Sequence, residues 1–210
     1  MNPAFDVSKI TKGPAKAFAG VTVDVNGRVT MDTDGTPLAS ANPNAVGLGL
    51  FTTDGKAFSD KPKGFTDSEA DELASPYRRI AQGSNITLKG TLLQLENLPV
   101  IAALTPGAVY ESSSGLEEIS SGGALTVSHH TVLLVWPSSE HPNHYVHLLL
   151  YRAFNSAGLE FTIKRTEDAK MPVEWTGEPD TSRPDGKNVW KLWRTVPAGQ
   201  ESPAVNFQIT

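Results

Sequence analysis

Between residues 86 and 92 the chain alternates without a slip. Ile86, Leu88, Gly90 and Leu92 fall on one side, and Thr87, Lys89 and Thr91 on the other. A period of two marks a strand with one buried face, so a strand is predicted over 86–95. Just beyond it, Asn97 sits where an N-cap would, and Pro99 suits a first helical turn. A short helix is predicted through Leu104, stopped by Thr105, Pro106 and Gly107. Later strands are predicted over 131–136, 145–154, 159–164, 171–175 and 188–196.

Turn chemistry sets the rest. Asn26-Gly27 between two Val-rich runs is a hairpin signal, since both residues tolerate positive φ. A three-residue loop of Asn26, Gly27 and Arg28 would set Val25 opposite Val29 and Val23 opposite Met31. That register keeps every apolar side chain on one face. Residues 33–45 are rich in Gly and Pro and read as a loop. A strand over 46–52 turns at Asp54-Gly55 into 56–58. Residues 59–84, with Pro62, Gly64 and Pro76, then read as a long exposed connection holding one helical turn near 67–74. Ser/Gly clusters at 112–115 and 120–123 flank a short polar piece. Residues 1–19 form an arm, 20–200 the body, and 201–210 a tail whose Val205, Phe207 and Ile209 alternate with polar neighbours. No internal repeat of fixed period is present.

Composition changes the picture in three ways. Hydrophobic residues are 39% and charged residues 20%, a globular balance with a small apolar deficit. That deficit suits long polar loops and arms. The net charge of -5, with no Lys/Arg run, argues against an ordinary nucleic-acid face. With 0 Cys, disulfides and thiolate metal sites are excluded. The first residues lack the apolar core of a signal peptide. No window approaches the roughly 18 apolar residues of a membrane span. The reading is of a protein kept in a cytoplasm-like compartment until it assembles.

Candidate chemistry is thin. His129, His130, His141, His144 and His147 crowd one region. On a strand, His144 and His147 face opposite ways, and His141 lies roughly 20 Å from His147 in extended chain. Polar strand or loop positions fit better than a metal site. Asp67, Glu69, Asp71 and Glu72 lack the pattern of a calcium loop. Glu117 and Glu118 are adjacent and diverge, which makes a poor acid/base pair. No nucleophile elbow, P-loop or dinucleotide fingerprint occurs, so no enzyme, cofactor or metal is expected. Trp190 and Trp193 have an odd offset. One of them should therefore point away from the subunit's core, toward a partner surface or equally as a carbohydrate-stacking face, the partner surface being preferred.

Four stretches carry a resemblance. They are the Gly-Leu-Phe strand turning at Asp54-Gly55, the run NITLKGTLLQLENLPVIAALTPG, the strand HTVLLVWPSS, and MPVEWTGEPD followed by GKNVWKLWR. Together they resemble the major tail tube proteins of long-tailed, siphovirus-type bacteriophages, as found in actinobacteriophages. The resemblance implies a mainly β fold: a tail-tube β-sandwich with one short helix, long loops and terminal arms. Its sheets would join those of neighbours into a ring barrel, six copies to a ring, with rings stacked into a tube. The implied partners are the chain itself, a tape-measure protein, and the tail terminator and distal tail proteins. DNA would pass through the lumen without specific binding, and the virion tail would be the location. Asp54 and Gly55 would open the inter-ring connection. Phe58, Phe65 and Tyr77 would anchor it, with Trp190 and Trp193 as further self-assembly candidates. Other readings are another ring-forming tail or secretion-tube component, and a carbohydrate-binding β-sandwich.

Overall fold

The computed structural model describes residues 15–49, 51–52, 56–68, 78–81, 83–93, 97–122, 127–164 and 167–201. The first strand is β1 (Lys16–Ala19), and a long segment separates it from the two-residue β2 (Val46–Gly47). Next come β3 (Ala57–Pro62), β4 (Phe65–Ser68), β5 (Arg78–Ala81) and β6 (Ser84–Leu92). Helix α1 (Leu98–Leu104) leads into β7 (Ala108–Ser113) and β8 (Leu116–Ser121). The later strands are β9 (His130–Pro137), β10 (Tyr145–Asn155), β11 (Thr162–Lys164), β12 (Glu167–Gly177) and β13 (Trp190–Arg194).

The fold is mainly β, and every ladder is antiparallel. One nine-stranded sheet runs β2-β1-β9-β10-β12-β6-β3, with β11 beside β12 and β13 beside β10. Its two halves part along β10. Residues 146–150 of β10 pair with β13, and residues 153–155 with β12. No sheet closes.

The halves curl around a core of Leu88 and Leu92 from β6, Val132 and Leu134 from β9, Leu148 and Leu150 from β10, and Met171, Val173 and Trp175 from β12. Helix α1 plugs it with Val100, Ile101 and Leu104. The alternation read from the sequence holds: Ile86, Leu88 and Leu92 are all buried. Asn97 occupies the N-cap position but makes no side-chain cap bond, and a Pro stands in the first turn.

A second core lies on the other face of β9 and β10. Leu133, Val135, Leu149 and Tyr151 meet Val21 and Val29 there. Segment 20–45 is therefore a lid, and it forms almost no regular strand. The Asp24 N–H donates to the Arg28 carbonyl at 2.8 Å, so the three-residue loop is Val25, Asn26 and Gly27, one residue earlier than predicted. The Asp24 carboxylate decides this, because it accepts from the N–H groups of Asn26 and Arg28, both at 2.8 Å. Val25 becomes the turn tip and is fully exposed. The slip pairs residues of the same parity, so Val21, Val23, Val29 and Met31 still share a face. Gly27 is required here: its φ is 72°, and a Cβ would lie 2.4 Å from the Tyr151 hydroxyl.

Two further readings change. Residues 59–84 are no plain connection. Pro62 pairs with Ser84, the Lys63 N–H donates to the Gly83 carbonyl at 2.9 Å, and Phe65 pairs with Ala81. Those pairs stay in step, so β3–β4 and β5–β6 form one long hairpin. Asp67 and Ser68 are strand, not helix; the rest of the helical turn expected there lies outside the described residues. The polar piece near 112–123 is the β7–β8 hairpin, turning at Gly115 with φ 80°.

Two buried amides tie these parts together. Asn42 accepts from the Thr22 N–H and donates to the Thr30 and Leu38 carbonyls, which pins the lid. Asn155 donates to the carbonyls of Leu104 and Gly158 and accepts from the N–H groups of Ala157 and Glu174. All four of its bonding sites are filled, linking α1, β10 and β12. Asn155→Ala should lower stability by about 3 kcal/mol, because it strands several buried backbone groups. The urea midpoint measures this; a midpoint equal to that of the parent chain would show that the amide is dispensable.

Candidate functional site

An apolar groove of about 1310 Å³ opens where the two halves of the sheet diverge. One wall is Leu134 and Trp136 of β9, Leu148 of β10, and Trp190 and Leu192 of β13. The other is Phe51, Lys56 and Phe58. Alternation along β13 turns Trp190 and Leu192 to this side and Trp193 to the other. At one end the walls touch: Phe58 meets Trp190 edge-on at 5.4 Å, and the Trp190 Nε1–H donates to the Asp60 carboxylate at 2.8 Å. Phe51 reaches inward only because residue 90 is glycine, where a Cβ would lie 2.8 Å from its ring.

The groove's electrostatics are weak. Lys56 donates to the Ala15 carbonyl at 2.7 Å and lies 4.0 Å over the Phe51 ring, and burial pushes its ammonium pKa down. Two buried polar atoms in the lining, Thr52 Oγ1 and Trp136 Nε1, have no hydrogen-bond partner among the described residues. Leu192 is 54% exposed at the mouth. The lining also holds Lys16 and Asp34, an ion pair at 3.7 Å, but is otherwise mostly apolar, which fits a row of apolar side chains.

The second surface feature is the β7–β8 hairpin. Val109 and Leu116 are more than half exposed on it. Glu111 and Glu118 stand directly opposite each other, a like-charge pair that weakens an isolated ladder.

The histidines separate into different roles. His129 bonds Glu178 at 2.8 Å, with Arg152 against its other nitrogen at 3.4 Å. The rings of His141 and His144 meet at 6.1 Å. Among the described residues no three His, Asp or Glu side chains gather as metal ligands would. His147 is 1% exposed and stacks on Trp193 at 4.8 Å with an interplanar angle of 7°. Among the described residues neither of its ring nitrogens has a partner in hydrogen-bond geometry. Burial pushes its pKa down from 6.5 to about 4, with the Trp193 backbone pulling slightly the other way.

Of the residues singled out for assembly, Asp54, Gly55 and Tyr77 lie outside the described residues. Phe65 is on β4 opposite Ala81, and its side chain lies outside the described part. Phe58 packs on Trp190 within its own subunit. Trp190 and Trp193 do face opposite ways, but neither points away from a core. Trp190 rests on the first core and Trp193 on the second, because β13 lies between two packed layers. The exposed apolar residue on this strand is Leu192, which the sequence reading passed over. The contrast with the buried residues around it is tertiary, and no local pattern reveals it. A comparison with protein-family models finds no match, and no curated protein matches the chain in sequence.

The buried His147 gives a pH prediction. Between pH 6.5 and about 4 the unfolded chain binds a proton that the folded chain refuses. Stability present above pH 6.5 is thus lost through that window, by roughly 3 kcal/mol. His147→Leu should remove this step from urea midpoints measured across pH. The same step in both proteins would assign it to other groups.

Proposed function

We propose that this chain is a self-assembling structural protein of the tail-tube type: copies join edge to edge into rings, and rings stack into a conduit for DNA. The single observation that best supports the reading is that the large sheet ends in open edges while one of its hairpins extends beyond it. Among the described residues β2 pairs only with β1 and β3 only with β6. Open edges invite pairing with another chain unless they are covered, and ring closure covers them all. The β4–β5 end of the long hairpin packs chiefly on itself. In the proposed tube this projection reaches a neighbouring copy.

The β7–β8 hairpin adds to this. Its exposed Val109 and Leu116, and its facing glutamates, are disfavoured on a lone subunit. A neighbour presenting apolar and cationic groups relieves both. The glycan-binding alternative rests on Trp136 and Trp190 in the groove, since Trp175 is buried and Trp193 stacks on His147.

Negative-stain electron microscopy across a concentration series tests the proposal. Tubes with a central channel and a regular axial repeat are the expected outcome. Isolated rings that never stack would favour a terminator-like role, and a persistent monomer would count against self-assembly. Phe65→Ala with Tyr77→Ala should shorten or abolish tubes while leaving the circular dichroism of the subunit unchanged. Tubes of normal length from that double variant would remove both residues from the contact.

A further inference from the structure

Successive residues of a strand face opposite ways, and directly opposed residues of a ladder share a face. In the β7–β8 hairpin this sorts the side chains into two sets. Tyr110 and Ile119 are opposed on the inner face, where Ile119 rests on the first core. Val109, Glu111, Glu118 and Leu116 therefore gather on the outer face. There Val109 is 54% and Leu116 56% exposed, and the two facing glutamates between them are exposed as well. Residues 108–121 contain no Lys, Arg or His to neutralise them. An apolar pair set around two carboxylates is matched by cations on apolar stems, which is what lysine side chains are.

The chain carries such a group elsewhere. Lys61 and Lys63 are both exposed where the stem of the long hairpin leaves the sheet. Lys61 stands opposite Asn85, and the Lys63 N–H donates to the Gly83 carbonyl at 2.9 Å. Two steps of extended chain set the lysines roughly 7 Å apart, a span that suits two carboxylates on opposed strands, about 5 Å apart at Cβ. Lys89, further along the same ladder, is already held by Glu174 at 2.7 Å. The acidic and basic surfaces also grow from different ends of β6. Pro62 pairs with Ser84 at one end, while α1 and then the β7–β8 hairpin follow from Leu92 at the other. Nine residues of strand put those ends roughly 27 Å apart.

We propose that the outer face of the β7–β8 hairpin is a docking surface for a second copy of this chain, and that it receives Lys61 and Lys63 of that copy. The lysine stems lie on Val109 and Leu116, and their ammonium groups neutralise Glu111 and Glu118. A contact between two different patches is heterologous: each copy that joins still offers one patch of each kind, so association continues in one direction. The inference rests on the assembly reading and deepens it, by naming which surface of one copy meets which surface of the next.

Charge exchange in the full-length chain tests it. Lys61→Glu with Lys63→Glu should abolish tubes in electron micrographs, and so should Glu111→Lys with Glu118→Lys. The fourfold variant carrying both exchanges should restore them. Glu111→Gln with Glu118→Gln relieves the repulsion within a lone hairpin, yet it should shorten tubes, which a purely structural role for the glutamates would not produce. Normal tubes from either charge exchange, or a fourfold variant no better than its parents, would overturn this inference while leaving the tube reading intact. A second measurement uses the absence of cysteine, 0 in the chain. Chains carrying Glu118→Cys and chains carrying Lys61→Cys are mixed and oxidised together. The hetero-linked dimer should exceed either homo-linked dimer severalfold, and a statistical mixture would overturn the pairing. A parent chain that stays monomeric at every concentration would remove the assembly reading and this contact with it.

Discussion

Everything in this molecule hangs on β10. It pairs with β9 along one edge and with two different strands along the other, β13 first and then β12. Both of its faces are covered, so Leu148 and Leu150 enter one core and Leu149 and Tyr151 the other. A strand used on every side leaves its backbone no alternative partner, and its register is strongly specified. The splitting of its far edge makes the two halves of the sheet diverge, and that divergence creates the groove. The Asn155 amide holds the branch point by tying the end of β10 to β12 and to the last turn of α1.

The legible parts of the fold were those whose burial is one-sided and local. Ile86, Leu88 and Leu92 announced β6 because their alternate neighbours face water, and Asn97 with Pro99 announced α1. The β7–β8 hairpin was illegible because none of its residues is fully buried, Ile119 alone resting on the first core; its Ser and Glu residues imitate a loop. The β4–β5 ladder was hidden for a related reason. It continues an inner hairpin outward past Pro62 and Gly64, residues that read as punctuation in a sequence, and Phe65-Thr66-Asp67-Ser68 shows no hydrophobic period. Val25 misled the turn because an apolar residue at a tip looks like a strand residue; only the Asp24 carboxylate distinguishes the two. At the candidate site, the pairing of Trp190 with Phe58 and Asp60 joins residues some 130 positions apart, and no short pattern encodes such a meeting. The opposite orientation of Trp190 and Trp193 was legible. That both sides would be packed was not, since it depends on a lid drawn from residues 20–45.

A curled sheet that does not close keeps unmatched amide and carbonyl groups at its margins, at β2 and β3 among the described residues. In the proposed assembly neighbouring copies would supply the missing partners. A subunit would then settle its core alone and leave its margins for association.

The unbroken register from β3–β6 into β4–β5 has a mechanical meaning. The outer hairpin does not hinge on a loose loop; it is the prolongation of strands that are rooted in the sheet. A pull along its length enters β6 and meets the β6–β12 ladder from Leu92 to Ile86 lengthwise, in shear. Its hydrogen bonds then resist together instead of opening one after another. The projection behaves as a tendon anchored in bone, and tension on it would be borne by the core of the subunit rather than by its surface.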